Sequence, residues 1–310
     1  MIVAVIAAAA GCGQASGGDS VVHPATFDTG GQGSGSTGGA KMPSSADATR
    51  IVRELWTQRE DAVGRLDAEG FGEMETGAAQ AIDSSYVQFV ICGCNTPKAG
   101  HTLQRVVPII PRTSVNGSFM AEVQTLNTTT GERPWYIIGV TRNGGSWKIG
   151  FITLGWYKKP PPLTLPKPQG GFMAPLTAAT RERIGQLAAT DVRIASRAGT
   201  HTKTGYGADV HTTMAVQPSE GLFGIDLRNG LVLGCYTVHE FDTYSIAGGL
   251  RQDSGQHNWG PKLAPGVYGK IITDTAHSVC DSGKQGAVYR VAQYDLQQVS
   301  ARGTRLTASA

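Results

Sequence analysis

Neither sign of charge prevails in this chain of 310 residues: 27 Lys and Arg stand against 24 Asp and Glu, giving a formal net charge of +3. The cationic residues are scattered instead of forming a stripe, which excludes nucleic acid as an expected partner. Long apolar runs are lacking as well. The run over residues 1–10 is too short to span a bilayer and reads as the h-region of a signal peptide. No glycine-rich phosphate loop leads into a helix. The only glycine-serine texture, Gly33-Ser34-Gly35-Ser36, lies where nothing would hold a serine rigid, so no activated nucleophile is expected. Neither catalysis nor a cofactor is expected from these absences.

What is present begins at Cys12. The small residues Ala9, Ala10 and Gly11 directly before it resemble the lipobox of bacterial lipoproteins, although no Lys or Arg precedes the apolar run. That resemblance implies cleavage after residue 11, acylation of the Cys12 thiol, and retention at the extracellular face of the bacterial cell membrane. Of the five cysteines, four then remain, an even number in a compartment where disulfides persist. Cys235 and Cys280 share the C-terminal half and are the favoured pair. Cys92 and Cys94 fall in an expected strand, where residues two apart sit too far from each other for an unstrained bridge. They stay reduced or bridge weakly.

Residues 12–45 are Gly, Ser, Thr, Asp and Ala with hardly any large apolar side chain, a composition expected of a flexible tether. Ser44 and Ser45 then offer a helix cap. Ile51, Val52, Leu55, Trp56, Val63 and Leu66 recur at helical spacing, with Arg53, Glu54, Gln58 and Glu60 largely opposite, and Gly70 closes the helix. Phe71, Met74, Ala78 and Ile82 predict a second, shorter helix interrupted by Gly77. Strands follow over residues 86–92, 103–110, 119–126, 135–141 and 147–154, the last two joined by the turn-rich stretch Arg142 to Ser146.

Five prolines between Pro160 and Pro168 mark a spacer over residues 158–172. The second half, residues 173–301, opens with a helix capped by Thr177. Strands are expected over residues 210–216, 222–227, 231–240, 268–274 and 288–299, with Asn229-Gly230 as a hairpin signal. A disordered tail is expected over residues 302–310.

The capped helix, the step Glu75-Thr76-Gly77 and the hairpin Gly144-Gly145-Ser146-Trp147-Lys148-Ile149 resemble the NTF2-like (cystatin-like) fold. For residues 46–157 this implies helices against a curved antiparallel sheet. The implied fold class is α+β, with two tandem domains of helix-then-sheet type; the second has no counterpart of Trp147-Lys148-Ile149. Lipobox, tether, first unit, proline spacer and the segment Gly221 to Gly230 together resemble secreted lipoproteins of high-GC actinobacteria, a group that brings no activity with it.

Three candidate sites stand against plainer readings. Cys92-Gly93-Cys94 with His101 offers soft metal ligands but lacks a fourth, so no metal site is expected. His239, Glu240 and Asp242 form an acid-base cluster or, preferably, a solvated strand face, since His239 and Glu240 point to opposite sides. Trp56, Trp135, Trp147 and Phe151 line a pocket or fill a core; Trp147, Ile149, Phe151 and Thr153 alternate onto one face, as packing on the first helix also requires. The expected function is that of a lipid-anchored binding or interaction protein whose partner is the cell wall, a protein or a small molecule. The alternatives are a small hydrolase or isomerase with His101, Glu122 or Asp83 converging near Trp147, and a structural protein of envelope assembly.

Overall fold

The first helix, α1 (Ser45–Arg65), begins where the Ser44 side chain accepts the amide of Asp47 at 3.1 Å, with Asp47 itself placed against the positive end of the helix dipole. It ends at Leu66, which adopts the left-handed conformation (φ 55°), ahead of the expected stop at Gly70. Ala48, Ile51, Val52, Leu55, Trp56, Arg59 and Ala62 form its buried face. The computed structural model describes residues 42–97, 100–114, 117–154, 177–198, 202–203, 208–216, 222–227, 231–252, 263–284, 287–293 and 297–306. All belong to one compact unit, Ser36–Ala310. Cys12, the proline spacer and Asn229-Gly230 lie outside the described residues.

Two further helices follow, α2 (Phe71–Met74) and α3 (Gly77–Ile91). The strand expected over residues 86–92 is instead the second half of α3. Its aromatic and β-branched residues favour a strand locally, yet Ala78, Ala79, Ile82, Tyr86, Val87 and Val90 bury one helical face, and tertiary packing outweighs propensity. Gly77, at φ 59°, starts this helix rather than interrupting one.

Four antiparallel strands follow in sequence order: β1 (His101–Ile109), β2 (Phe119–Asn127), β3 (Trp135–Asn143) and β4 (Ser146–Leu154). Gly144 and Gly145, with φ of 59° and 89°, make the tight β3–β4 turn. One face of this sheet, with Phe119, Ala121, Val123, Tyr136, Ile138, Val140, Ile149 and Ile152, packs on the helices. Each fully buried large apolar side chain of this kind contributes about 1.5–3 kcal/mol.

A bulge corrects the expected alternation along β4. Val140 pairs with Ile149 but Gly139 pairs with Phe151, so Gly150 is the extra residue. Trp147 and Ile149 therefore face the helices, whereas Phe151 and Thr153 face the other way.

The second half opens with α4 (Ala178–Ala198), where Thr177 Oγ1 accepts the Thr180 amide at 3.1 Å. Then come β5 (Thr202–Lys203), β6 (Asp209–Val216), β7 (Phe223–Asp226), β8 (Val232–Gln252), β9 (Gly266–Lys284), β10 (Ala287–Gln293) and β11 (Gln297–Arg305). The long β8–β9 hairpin is the spine of the sheet. β7 and β6 pair successively along the outer edge of β8, and β10 and β11 along that of β9. The strand expected over residues 288–299 is thus two strands, and β11 runs on through Arg305, pairing with β9 across the start of the expected tail.

The two sheets pack face to face. Ile109, Met120, Ile137 and Phe151 from the first meet Phe223, Ile225, Leu233, Cys235 and Cys280 from the second. The outer face of the second sheet receives α4 through Ile184, Leu187 and Ala188. A Cβ on Gly234 would come within 2.8 Å of Ile184, so a bare backbone is what lets this helix approach. The architecture is α+β and mostly antiparallel, with helices, sheet, sheet and helix in turn and with α3 also reaching β9 and β11 of the second sheet through Ser85, Ala276 and Val299.

Candidate functional site

The most unusual chemistry lies among the first three helices. Arg59 occupies an apolar-face position of α1, one turn after Trp56, so its guanidinium is carried inward and left only 6% exposed. There it meets Asp83 of α3 at 2.6 Å, Glu60 at 2.8 Å and Glu75, at the end of α2, at 3.3 Å. It also lies over the Trp56 ring at 5.1 Å. The arrangement extends to β1: the His101 amide donates to Glu60 Oε2 at 2.7 Å, and Trp56 Nε1 donates to the His101 carbonyl at 3.3 Å. One guanidinium therefore ties three helices together and, through Glu60, a strand.

Three carboxyl groups against one cation leave an excess of negative charge, and Glu75 bears its consequence. Complete burial pushes its carboxyl well above the ordinary 4.5; the charge of Asp83 adds to the effect and that of Arg59 opposes it. Burial also raises Glu60 against the pull of Arg59. Glu75 is thus a carboxylic acid that keeps its proton well above the usual carboxylate range beside a second carboxyl group, the kind of pairing that general acid chemistry uses. It has no exposed surface.

A pH dependence follows. The folded state retains a proton that the unfolded chain has released above 4.5, so the stabilising contribution is complete below that value and is lost as pH rises through the raised one. As pH rises above the ordinary carboxylate range, the urea midpoint of the parent should fall relative to that of Glu75→Gln, which cannot ionise. Parallel profiles for the two proteins would contradict the assignment.

The aromatic residues singled out in the sequence are divided by the first sheet. Trp56, 1% exposed, and Trp147 lie on the helix side, where Trp56 packs on Tyr136 (5.2 Å) and Trp147 on Phe119 (5.4 Å). Trp135 and Phe151 belong to the opposite face; Trp135 stacks with Arg105 at 5.9 Å and Phe151 meets Phe223 at 6.0 Å. The four do not line one pocket. Nor do His101, Glu122 and Asp83 converge near Trp147: Asp83 binds Arg59, His101 adjoins Tyr136 at 6.1 Å, and Glu122 lies on the other face with Arg105 as its opposing charge.

In the second half, His239 Nδ1 lies 2.7 Å from Asp274, while Glu240 meets His277 at 3.4 Å on the opposite face. Asp242 accepts hydrogen bonds from Thr212 and Tyr244. These groups form cross-strand polar pairs, and His239 is only 3% exposed, in place of the solvated face expected there. The contact with the His277 imidazole holds the Glu240 carboxyl below its ordinary value.

Cys235 and Cys280 occupy directly opposed positions on β8 and β9, are fully buried and form a disulfide. Cys92 and Cys94 also lie at disulfide distance. They sit in the turn that ends α3 rather than in a strand, and the turn brings their Cα atoms to 5.4 Å. Paired with each other, they are not thiolate ligands for a metal beside His101.

Arg59 and Glu75 do not stand out as site residues in the sequence. The available signal is a charged residue at an apolar-face position of α1. Compared with known protein families, with curated proteins and with solved structures, the chain matches none.

Proposed function

We propose that this chain is an extracytoplasmic binding or interaction protein of the bacterial cell envelope, held at the membrane by lipid on Cys12. The carrying observation is the cysteine pairing. Four of the five cysteines pair among themselves, as suits an oxidising compartment, which leaves Cys12, behind its lipobox-like residues, as the odd one. Among the described residues no helix is long and apolar enough to cross a membrane. The partner is a wall polymer, a protein or a small molecule. The finer fold reading is a tandem of NTF2-like units, supported by three helices packed on the antiparallel order β1-β2-β3-β4 and by α4 on the second sheet. The likeness to actinobacterial secreted lipoproteins belongs to the same reading.

In a bacterial host that acylates lipoproteins, the parent should partition with membranes and carry an acylated Cys12 at its amino terminus. Cys12→Ser should appear in the soluble fraction. Equal membrane retention of the variant, with an unprocessed amino terminus, would refute the anchor.

A second reading, a small hydrolase or isomerase, draws support from the proton held on Glu75 beside Asp83. It requires turnover of a panel of activated esters or enolisable ketones by the parent, and loss of that turnover in Glu75→Gln while the fold persists. No turnover by the parent on the panel counts against it.

A further inference from the structure

The two disulfides differ in what they hold. Cys235–Cys280 is buried between the sheets and joins residues 45 apart in the chain. Cys92–Cys94 joins residues two apart, and a cross-link closing so short a loop restricts the unfolded chain far less. Its turn is also fixed without it: the Cys92 amide donates to Gln88 O at 3.1 Å, Gly93 to Val90 O at 3.0 Å, and Cys94 and Asn95 both to Phe89 O at 2.9 and 3.0 Å. These bonds satisfy the last carbonyls of α3 whether or not the sulfurs are joined.

The pair is also reachable. Both cysteines are half-buried, and the glycine between them is exposed with φ 72°. A Cβ on Gly93 would meet nothing within 4 Å, so the space over the turn is open. Ile91, the residue just before the pair, is 60% exposed and offers an apolar contact to an approaching molecule. Cys92 Sγ lies 3.3 Å from Phe89 O, so a thiol formed there has an acceptor at hand. Solvent-reachable disulfides are the exchangeable ones, and here none of the backbone hydrogen bonds that hold the turn involves a sulfur.

We propose that Cys92–Cys94 is a thiol–disulfide exchange site that accepts two electrons from a dithiol. A thiolate of the dithiol attacks Cys94 Sγ, forming a mixed disulfide as the Cys92–Cys94 bond breaks. Cys92 leaves as a thiolate, takes up a proton and directs its S–H at Phe89 O. The second thiol of the dithiol, deprotonated, attacks the mixed disulfide and expels Cys94, which is protonated in turn. Two electrons and two protons pass to the protein, and the dithiol becomes a disulfide. This site is independent of acylation at Cys12 and of the binding role proposed above.

The test exposes the full chain to dithiothreitol under native conditions, quenches with an alkylating reagent at intervals and identifies the labelled peptides by mass. Cys92 and Cys94 should be labelled about tenfold or more faster than Cys235 and Cys280. The near-UV circular dichroism should stay constant during the fast phase, and a Cys92→Ser, Cys94→Ser double variant should keep the parent's spectrum and unfolding midpoint. Reduction of both pairs in a single phase that coincides with unfolding would overturn the proposal, as would a Cys92–Cys94 pair that resists reduction until denaturant is added, or a double variant that no longer folds.

Discussion

Arg59→Met should cost about 3–5 kcal/mol of stability, because it removes the cation held against two buried carboxyl groups while leaving those groups in place. The side chains of Asp83 and Glu75 are 3% and 0% exposed, so water cannot substitute for the guanidinium without the helices parting. Equilibrium urea unfolding is the measurement. Since Arg59 links α1 to α2 and α3, the helical layer should loosen first, with hydrogen exchange at α3 amides rising ahead of that in the second sheet. Adding Asp83→Leu to the variant should recover part of the loss, because the stranded charge is then gone. An Arg59→Met protein as stable as the parent would show that the cluster is solvated in a way its burial does not suggest.

Phe223→Ala should have a comparable effect, about 3–5 kcal/mol, through the cavity it leaves between the sheets. The Phe223 ring is 4% exposed and lies against Phe151. It fills a space that two glycines of the first sheet keep open: a Cβ on Gly139 would stand 2.6 Å from the ring, and one on Gly150 3.2 Å. If that seat holds the halves together, the variant should unfold in two separable transitions, one followed by Trp56 and Trp147 fluorescence and one by the far-UV signal of the long hairpin. A single transition at the parent's midpoint would mean that the inter-sheet contact contributes little. Gly139→Ala should destabilise too, and less so in a Phe223→Leu background, where the clash is relieved.

Sheet and helix patterning is legible where local chemistry and burial agree. Ser44 and Thr177 cap helices, the Gly144-Gly145 turn joins β3 and β4, and Trp135 to Asn143 forms a strand because alternation, turn residues and β-branched content all point the same way. Legibility ends where they conflict. The stretch Tyr86 to Val90 has the composition of a strand and becomes helix because its neighbours bury a helical face. The facing of Phe151 escapes a reading by alternation because one extra residue at Gly150 reverses the side chains that follow, and a single sequence carries no mark of where a register slips.

The polar and cysteine clusters follow the same division. Cys235 and Cys280 can be nominated from their shared half of the chain, but their direct opposition across β8 and β9 is a matter of register. Asp274 and His277, partners of His239 and Glu240, are invisible until the hairpin is aligned.

The balance of charge, the lipobox-like residues before Cys12, the order of most helices and strands and their caps can all be read from the chain of residues, since these depend on neighbours a few positions away. Folding in three dimensions was needed to bring Arg59, Glu60, Glu75 and Asp83 together, to seat Phe223 over two glycines and to stack the sheets. Such contacts join residues far apart in the chain, and their energy arises only when distant apolar faces exclude water together.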